Sequence, residues 1–100
     1  MLEKMTEAEP LSTSDVEEVI FIKSELGLHA RPAARLVQAA QQFEAHITLE
    51  YEGTTADGKS ILDLLSLAAG KGASLTLRCH GADAALAAET IREVFSETDF

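Results

Sequence analysis

Gly27-Leu28-His29-Ala30-Arg31-Pro32-Ala33-Ala34-Arg35-Leu36-Val37-Gln38-Ala39-Ala40-Gln41-Gln42-Phe43 is the stretch in which the hydrophobic period of the chain changes. Just before it, Val16 to Ile22 is rich in β-branched residues and closes on the polar Lys23-Ser24-Glu25, which predicts a strand. Within it, Ala33, Leu36, Val37, Ala40 and Phe43 recur at helical spacing, with Gln38, Gln41 and Gln42 between them. Pro32 suits a first helical turn, where its missing N–H is not needed. An amphipathic helix therefore begins near His29.

Further along, Ile47, Leu49 and Tyr51 alternate with Thr48, Glu50 and Glu52, as a half-buried strand requires. Glu52-Gly53 predicts a tight turn into a short strand from Thr54 to Asp57. Ser60 is a good N-cap with Asp63 three residues on, a capping-box-like pair. The stripe Ile61, Leu64, Leu65 and Ala68 predicts a short helix ended by Gly70-Lys71-Gly72, with Leu62 off the stripe. Leu75, Leu77 and Cys79 then alternate with Thr76, Arg78 and His80, and Gly81 breaks this fourth strand. A longer helix carries Ala84, Ala87, Ala88, Ile91, Val94 and Phe95 on one face. The order strand, helix, strand, strand, helix, strand, helix predicts an α+β fold. It is an open-faced β-sandwich, with a four-stranded, mainly antiparallel sheet and three helices on one face.

One hundred residues, 46% of them apolar, suffice for one core and exclude two full domains. A single cysteine excludes an internal disulfide, and no basic-apolar leader is recognisable, so a reducing cytoplasm is the expected compartment. No apolar run is long enough to span a bilayer. The formal charge of −9 argues against nucleic acid and anionic lipid as partners. Much of that charge lies at the front: residues 1 to 18 hold six acids against Lys4 alone. Residues 1–15, with Pro10 and a Ser-Thr-Ser run, are read as an acidic, mobile extension, and residues 16–100 as the folded domain.

The chemistry concentrates at Gly27 to Ala33. A histidine at a helix start sits beside N–H groups that have no internal partners, with the fixed charge of Arg31 two residues away. A helix N-terminus favours a bound anion by about 0.3–1 kcal/mol when exposed. The same field disfavours imidazolium and so keeps a lone pair on His29 available as a nucleophile. Gly27 permits close approach of the loop backbone. On the residues alone, a solvated helix start with an exposed histidine and arginine is the slightly better fit.

The run at 27–34, the Gly-Lys-Ser-Ile-Leu at 58–62 and the Ala-Gly-Lys-Gly at 69–72 resemble the histidine-containing phosphocarrier (HPr) family of the bacterial phosphotransferase system. The resemblance covers roughly residues 16 to 97. It implies that His29 takes a phosphoryl group on Nδ1 from phosphorylated Enzyme I, itself charged by phosphoenolpyruvate. The group then passes to EIIA-type acceptors in sugar uptake, with Arg31 assisting and Gly27, Leu28, Ala30 and Pro32 shaping the loop and helix start. By the same likeness Ser60 is the site of an HPr kinase/phosphorylase, and Ile61, Leu62 and Leu65 form a patch that docks partners. A monomeric relay is implied rather than a self-contained enzyme, with no cofactor, no metal and no insertion into membranes. The alternative is a regulatory binding module of the nitrogen-related or catabolite-control branch.

Two residues depart from the family pattern. Leu26 stands where several sugar-pathway members have a small polar residue, and Asp63 where a small one is frequent. Cys79 falls on the apolar face of its strand and is expected in the core. His46 and His80 lack metal-ligand spacing and are expected at the surface. Neither a Ser-His-Asp pattern nor a basic, aromatic sheet is present, which argues against a hydrolase and an RNA binder.

Overall fold

The computed structural model describes residues 15–97 and residue 100. Residues 1–14, nearly all of the expected acidic extension, lie outside the described residues. The elements are β1 (Asp15–Phe21), α1 (Ala30–Ala40), β2 (His46–Tyr51), β3 (Thr54–Asp57), α2 (Ile61–Ser66), β4 (Ser74–His80) and α3 (Ala84–Phe95). They form one four-stranded sheet in the order β1-β4-β2-β3 with every neighbour antiparallel. The expected strand-helix order and open-faced sheet are both present.

Alternation along the strands divides the sheet into two faces. Ile20, Leu75, Leu77, Cys79, Ile47, Leu49 and Ala56 are buried and join Ala33, Leu36, Leu64, Ala87 and Ile91 of the helices in one core. The opposite face is polar except at Val19 and Phe21, which β1 leaves exposed. There Arg78 of β4 lies between Glu17 of β1 at 3.6 Å and Glu50 of β2 at 2.6 Å, a cross-strand charge ladder. Glu18, on the helix side of β1, receives Arg92 Nη1 of α3 on both carboxylate oxygens, at 2.8 and 2.7 Å. That pair holds the last helix over the edge strand.

The β2–β3 turn is the expected one, and Glu52 (φ 49°) and Gly53 (φ 83°) both take positive φ, as a two-residue hairpin turn demands. Three details differ from the sequence reading. Phe43 lies beyond α1, which ends at Ala40 with Gln41 as C-cap, although Phe43 still packs against the core. In α2 the buried residues are Leu64 and the C-cap Leu67, whereas Ile61 and Ala68 are exposed. A six-residue helix buries a single i, i+3 pair rather than a full stripe. The capping box is also only half formed. Ser60 Oγ accepts the Asp63 N–H at 3.2 Å, but the Asp63 carboxylate accepts the Asp57 N–H at 3.1 Å, not that of Ser60.

The connection from β3 to α2 is tightly fixed. Gly58 N–H donates to the Ile47 carbonyl at 2.8 Å, and a Cβ on Gly58 would come within 2.7 Å of the Ile47 side chain. Lys59 Nζ donates to the Phe43 carbonyl at 2.7 Å. At the other end of the pair, Leu28 N–H donates to the Ala69 carbonyl. The two tethers make α1 and α2 antiparallel neighbours. At the far end of α3, Phe100 is buried against Phe95, ring centroids 4.6 Å apart, and its carbonyl accepts the N–H groups of Lys23 and Ser24.

Candidate phosphoryl site

The loop from Lys23 to Leu28 folds on itself before the helix begins. Ser24 Oγ accepts the Leu26 N–H at 3.2 Å, and the Ser24 carbonyl accepts the Gly27 N–H at 3.0 Å. Gly27 takes φ +71°, and Leu28 N–H donates to the Ala69 carbonyl at 2.9 Å. A Cβ on Gly27 would sit 2.5 Å from that carbonyl oxygen and 2.8 Å from Gly70 Cα. Glycine is therefore required here both by its φ and by the approach of a second backbone. Leu28 buries its side chain in the core, and a Lys71–Glu25 pair at 2.5 Å ties the two loops a second time.

With the loop fixed, His29 becomes the N-cap of α1, in extended conformation at φ −110° and ψ −174°. Its carbonyl accepts the Ala33 N–H at 3.0 Å, the first bond of the helix. Its half-buried ring does no capping and makes no hydrogen bond to another described residue. Pro32 is buried and has no N–H, so the open donors of the first turn are the Ala30 and Arg31 amides, and no acid occupies that turn. Arg31 is exposed and pairs with no described residue, whereas Arg35, one turn on, pairs with Glu97. An imidazole with an unused lone pair thus stands beside two free amides, the positive end of a helix dipole and an uncommitted guanidinium. That combination can hold a tetrahedral oxyanion next to a nitrogen nucleophile.

Gly27, Leu28, His29, Ala30, Arg31 and Pro32 are contiguous at the start of α1; Ser60 is elsewhere. Because α1 and α2 run antiparallel, Ser60 lies toward the far end of α1, separated from His29 by roughly the 16 Å length of an eleven-residue helix. Its hydroxyl is half-buried as the cap of α2. Next to it Leu62 is 79% and Ile61 39% exposed, and Leu65 is half-buried against the core, so the patch read from the sequence is largely open. The sequence reading missed the second wall of the site, Ala68 and Ala69. Ala68 adopts φ 53°, a left-handed conformation after α2, and so aims the Ala69 carbonyl at Leu28. Its signal was faint, since an alanine does not advertise positive φ. Leu26, 76% exposed beside the site, adds an apolar element that the motif alone did not place.

Burial, with the Glu18 and Asp83 carboxylates adding to it, pushes the Cys79 thiol up to about 11, so it is a neutral core residue. His46 and His80 are both exposed. Among the described residues, no group of three or more His, Cys, Asp or Glu could hold a metal ion, and no helix is long and apolar enough to cross a membrane.

Comparison with known proteins bears on the fold and the family. The family profile described as "PTS HPr component phosphorylation site" matches residues 16–97. The phosphocarrier protein HPr of Bacillus anthracis is 39% identical, with a TM-score of 0.75 over 80% of this chain and 95% of its own. A mycoplasma histidine-containing phosphocarrier protein is 30% identical, with a TM-score of 0.81 over 84% of this chain and 96% of its own. The Bacillus subtilis catabolite repression HPr, Crh, is 36% identical, with a TM-score of 0.59 over 80% of this chain and 95% of its own. A profile that spans the whole strand-helix framework, and structures that share both its order and its identity level, establish that the chain belongs to the HPr family of phosphocarrier domains.

Proposed function

We propose that this protein relays a phosphoryl group from phosphorylated Enzyme I to EIIA-type acceptors of sugar uptake, in a reducing cytoplasm, with His29 as the carrier. The His29 Nδ1 lone pair attacks phosphorus, the bond from phosphorus to the donor atom breaks, and a phosphoramidate forms. The acceptor's nucleophile then takes the group and returns the imidazole. Donor and acceptor are proteins, so this chain contributes positioning and charge. The Ala30 and Arg31 amides meet the phosphoryl oxygens, and the Arg31 guanidinium offsets the charge that builds on them. The observation that carries the reading is His29 itself: an N-cap residue whose side chain makes no cap bond, at a helix start whose first amides lack partners.

Incubation with phosphoenolpyruvate and a cognate Enzyme I, followed by intact-mass measurement, tests it. One added phosphate is expected, labile in acid and absent in His29→Ala. A stable or undiminished adduct in that variant overturns the assignment.

Ser60 is proposed as a second, regulatory phosphorylation site. A phosphate there is tolerated by the start of α2 and puts about −1.5 to −2 charges beside exposed Ile61 and Leu62, blocking docking without unfolding. An ATP-dependent HPr kinase/phosphorylase that labels wild type and Ser60→Ala equally overturns this part. The same exposed patch supports a second reading, a regulatory binding module. That reading requires tight partner binding with no phosphoryl transfer through His29, which the mass experiment detects directly.

A further inference from the structure

Strand register brings together two histidines that lie far apart in the sequence. His46 opens β2 and His80 closes β4, and the antiparallel ladder sets them directly opposite one another. Both belong to the open face. Their neighbours Ile47 and Cys79 are buried toward the helices, whereas the two histidines are exposed. On the other side of β4, Asp15 of β1 stands opposite His80, and its Oδ1 contacts His80 Nδ1. Asp15, His80 and His46 thus form one row across three adjacent strands. Their spacing in the chain carried no metal-ligand pattern, because the pairing of strands creates the row.

The row has the parts of a metal site. Directly opposed residues of an antiparallel pair carry Cβ atoms about 4.5–5.5 Å apart, close enough for two imidazoles to meet on one ion. An imidazole whose Nδ1–H donates to a carboxylate keeps its lone pair on Nε2, and the carboxylate fixes the ring and raises the basicity of that nitrogen. The His46 ring makes no hydrogen bond to another described residue, so its nitrogens are open. Arg78, on the same face of β4, is held between Glu17 and Glu50, and its charge is offset there.

We propose that His46 and His80 form a site for a divalent first-row transition metal such as Zn²⁺, each giving one ring nitrogen, with Asp15 orienting the His80 ring. Zinc–nitrogen bonds are about 2.0–2.1 Å long. Water completes the shell, since the described residues offer no group of three or more His, Cys, Asp or Glu for an ion. A site with two protein ligands takes up and releases its ion, unlike the closed four-ligand sites on which folding depends. Imidazole favours Cu²⁺, Ni²⁺ and Zn²⁺, whereas Mg²⁺ and Ca²⁺ call for oxygen ligands. The bound ion ties β2 to β4 on the face away from the helices and draws nothing from His29. The inference departs from the metal-free relay that the family resemblance implies, and it stands apart from the phosphoryl reading.

Titration of the full chain with zinc chloride, followed by calorimetry and by NMR that resolves each amide and each histidine ring, tests it. The expected result is one Zn²⁺ per chain, with the signals of His46 and His80 moving together. Paramagnetic Cu²⁺ broadens the same two residues first, and Mg²⁺ at equal concentration moves neither. His46→Gln and His80→Gln each weaken Zn²⁺ binding at least tenfold. Asp15→Ala weakens it by roughly tenfold, as loss of an outer-shell carboxylate does. All three positions are exposed, so these substitutions leave the fold intact. Zn²⁺ that binds His46→Gln as it binds wild type overturns the site, as do shifts centred on His29 or on residues 1–14. An equal response to Mg²⁺ means attraction to acidic surface alone, and also overturns it. Unchanged affinity in Asp15→Ala overturns the role given to that carboxylate.

Discussion

A single methyl group at position 27 separates a formed site from a displaced one. Gly27→Ala must relieve both a positive φ and a 2.5 Å approach to the Ala69 carbonyl, so it is expected to cost roughly 2–4 kcal/mol in urea unfolding and to slow phosphoryl acceptance at His29. Across the loop the opposite change helps. Ala68 pays for a left-handed backbone that glycine adopts freely, and Ala68→Gly is expected to raise the unfolding free energy measured in urea by about 1 kcal/mol, with the Leu28–Ala69 bond intact. The contrast explains what the sequence disclosed at this scale. His29, Arg31 and Pro32 were legible because helix starts are written locally, in residue types that satisfy or lack N–H groups. Ala68 was not, because its conformation is imposed by where α2 must end for Leu67 to reach the core.

At the scale of elements, strands with strict alternation were read to within a residue, and α1 ran three residues short of the Phe43 that its stripe included. The short α2 was placed correctly but its buried side was not, because with six residues the contacts of Leu64 and Leu67 outweigh periodicity. Its start shows the same lesson. The spacing of Ser60 and Asp63 suggested mutual capping, but the chain returning from β3 brings the Asp57 N–H within reach, and the carboxylate goes there instead. The cap bond can be measured by itself. Ser60→Ala removes the acceptor for the Asp63 N–H and is expected to cost about 1 kcal/mol, whereas Ser60→Asp, which keeps an acceptor at the cap, should lose little. Equilibrium unfolding of the two variants in parallel measures this. If Ser60→Ala proves as stable as wild type, the cap bond contributes nothing.

For the molecule as a whole, Cys79 makes stability depend on alkaline pH. Its folded-state pKa of about 11 lies above the ordinary 9.0, so the neutral thiol's contribution is complete below about pH 9 and is lost as pH rises through the folded value. The full effect is on the order of 2–3 kcal/mol. Urea titrations at about pH 8 and about pH 10.5 should show a larger loss for wild type than for Cys79→Ala, which removes the ionising group. Equal losses would mean that the thiol ionises alike in both states. The overall architecture was the most legible level of all, because the order of the periods leaves few ways to bury the apolar faces; the edge chemistry was the least, since which backbone groups face outward depends on the register between strands.

The β3 edge sets a limit on growth of the sheet. The strand has four residues, Asp63 takes the outward Asp57 N–H, and Thr55 is the other residue of β3 whose backbone faces away from β2. So short a margin offers an added strand little to pair with, and the carboxylate that trims it does so without a proline or a bulge.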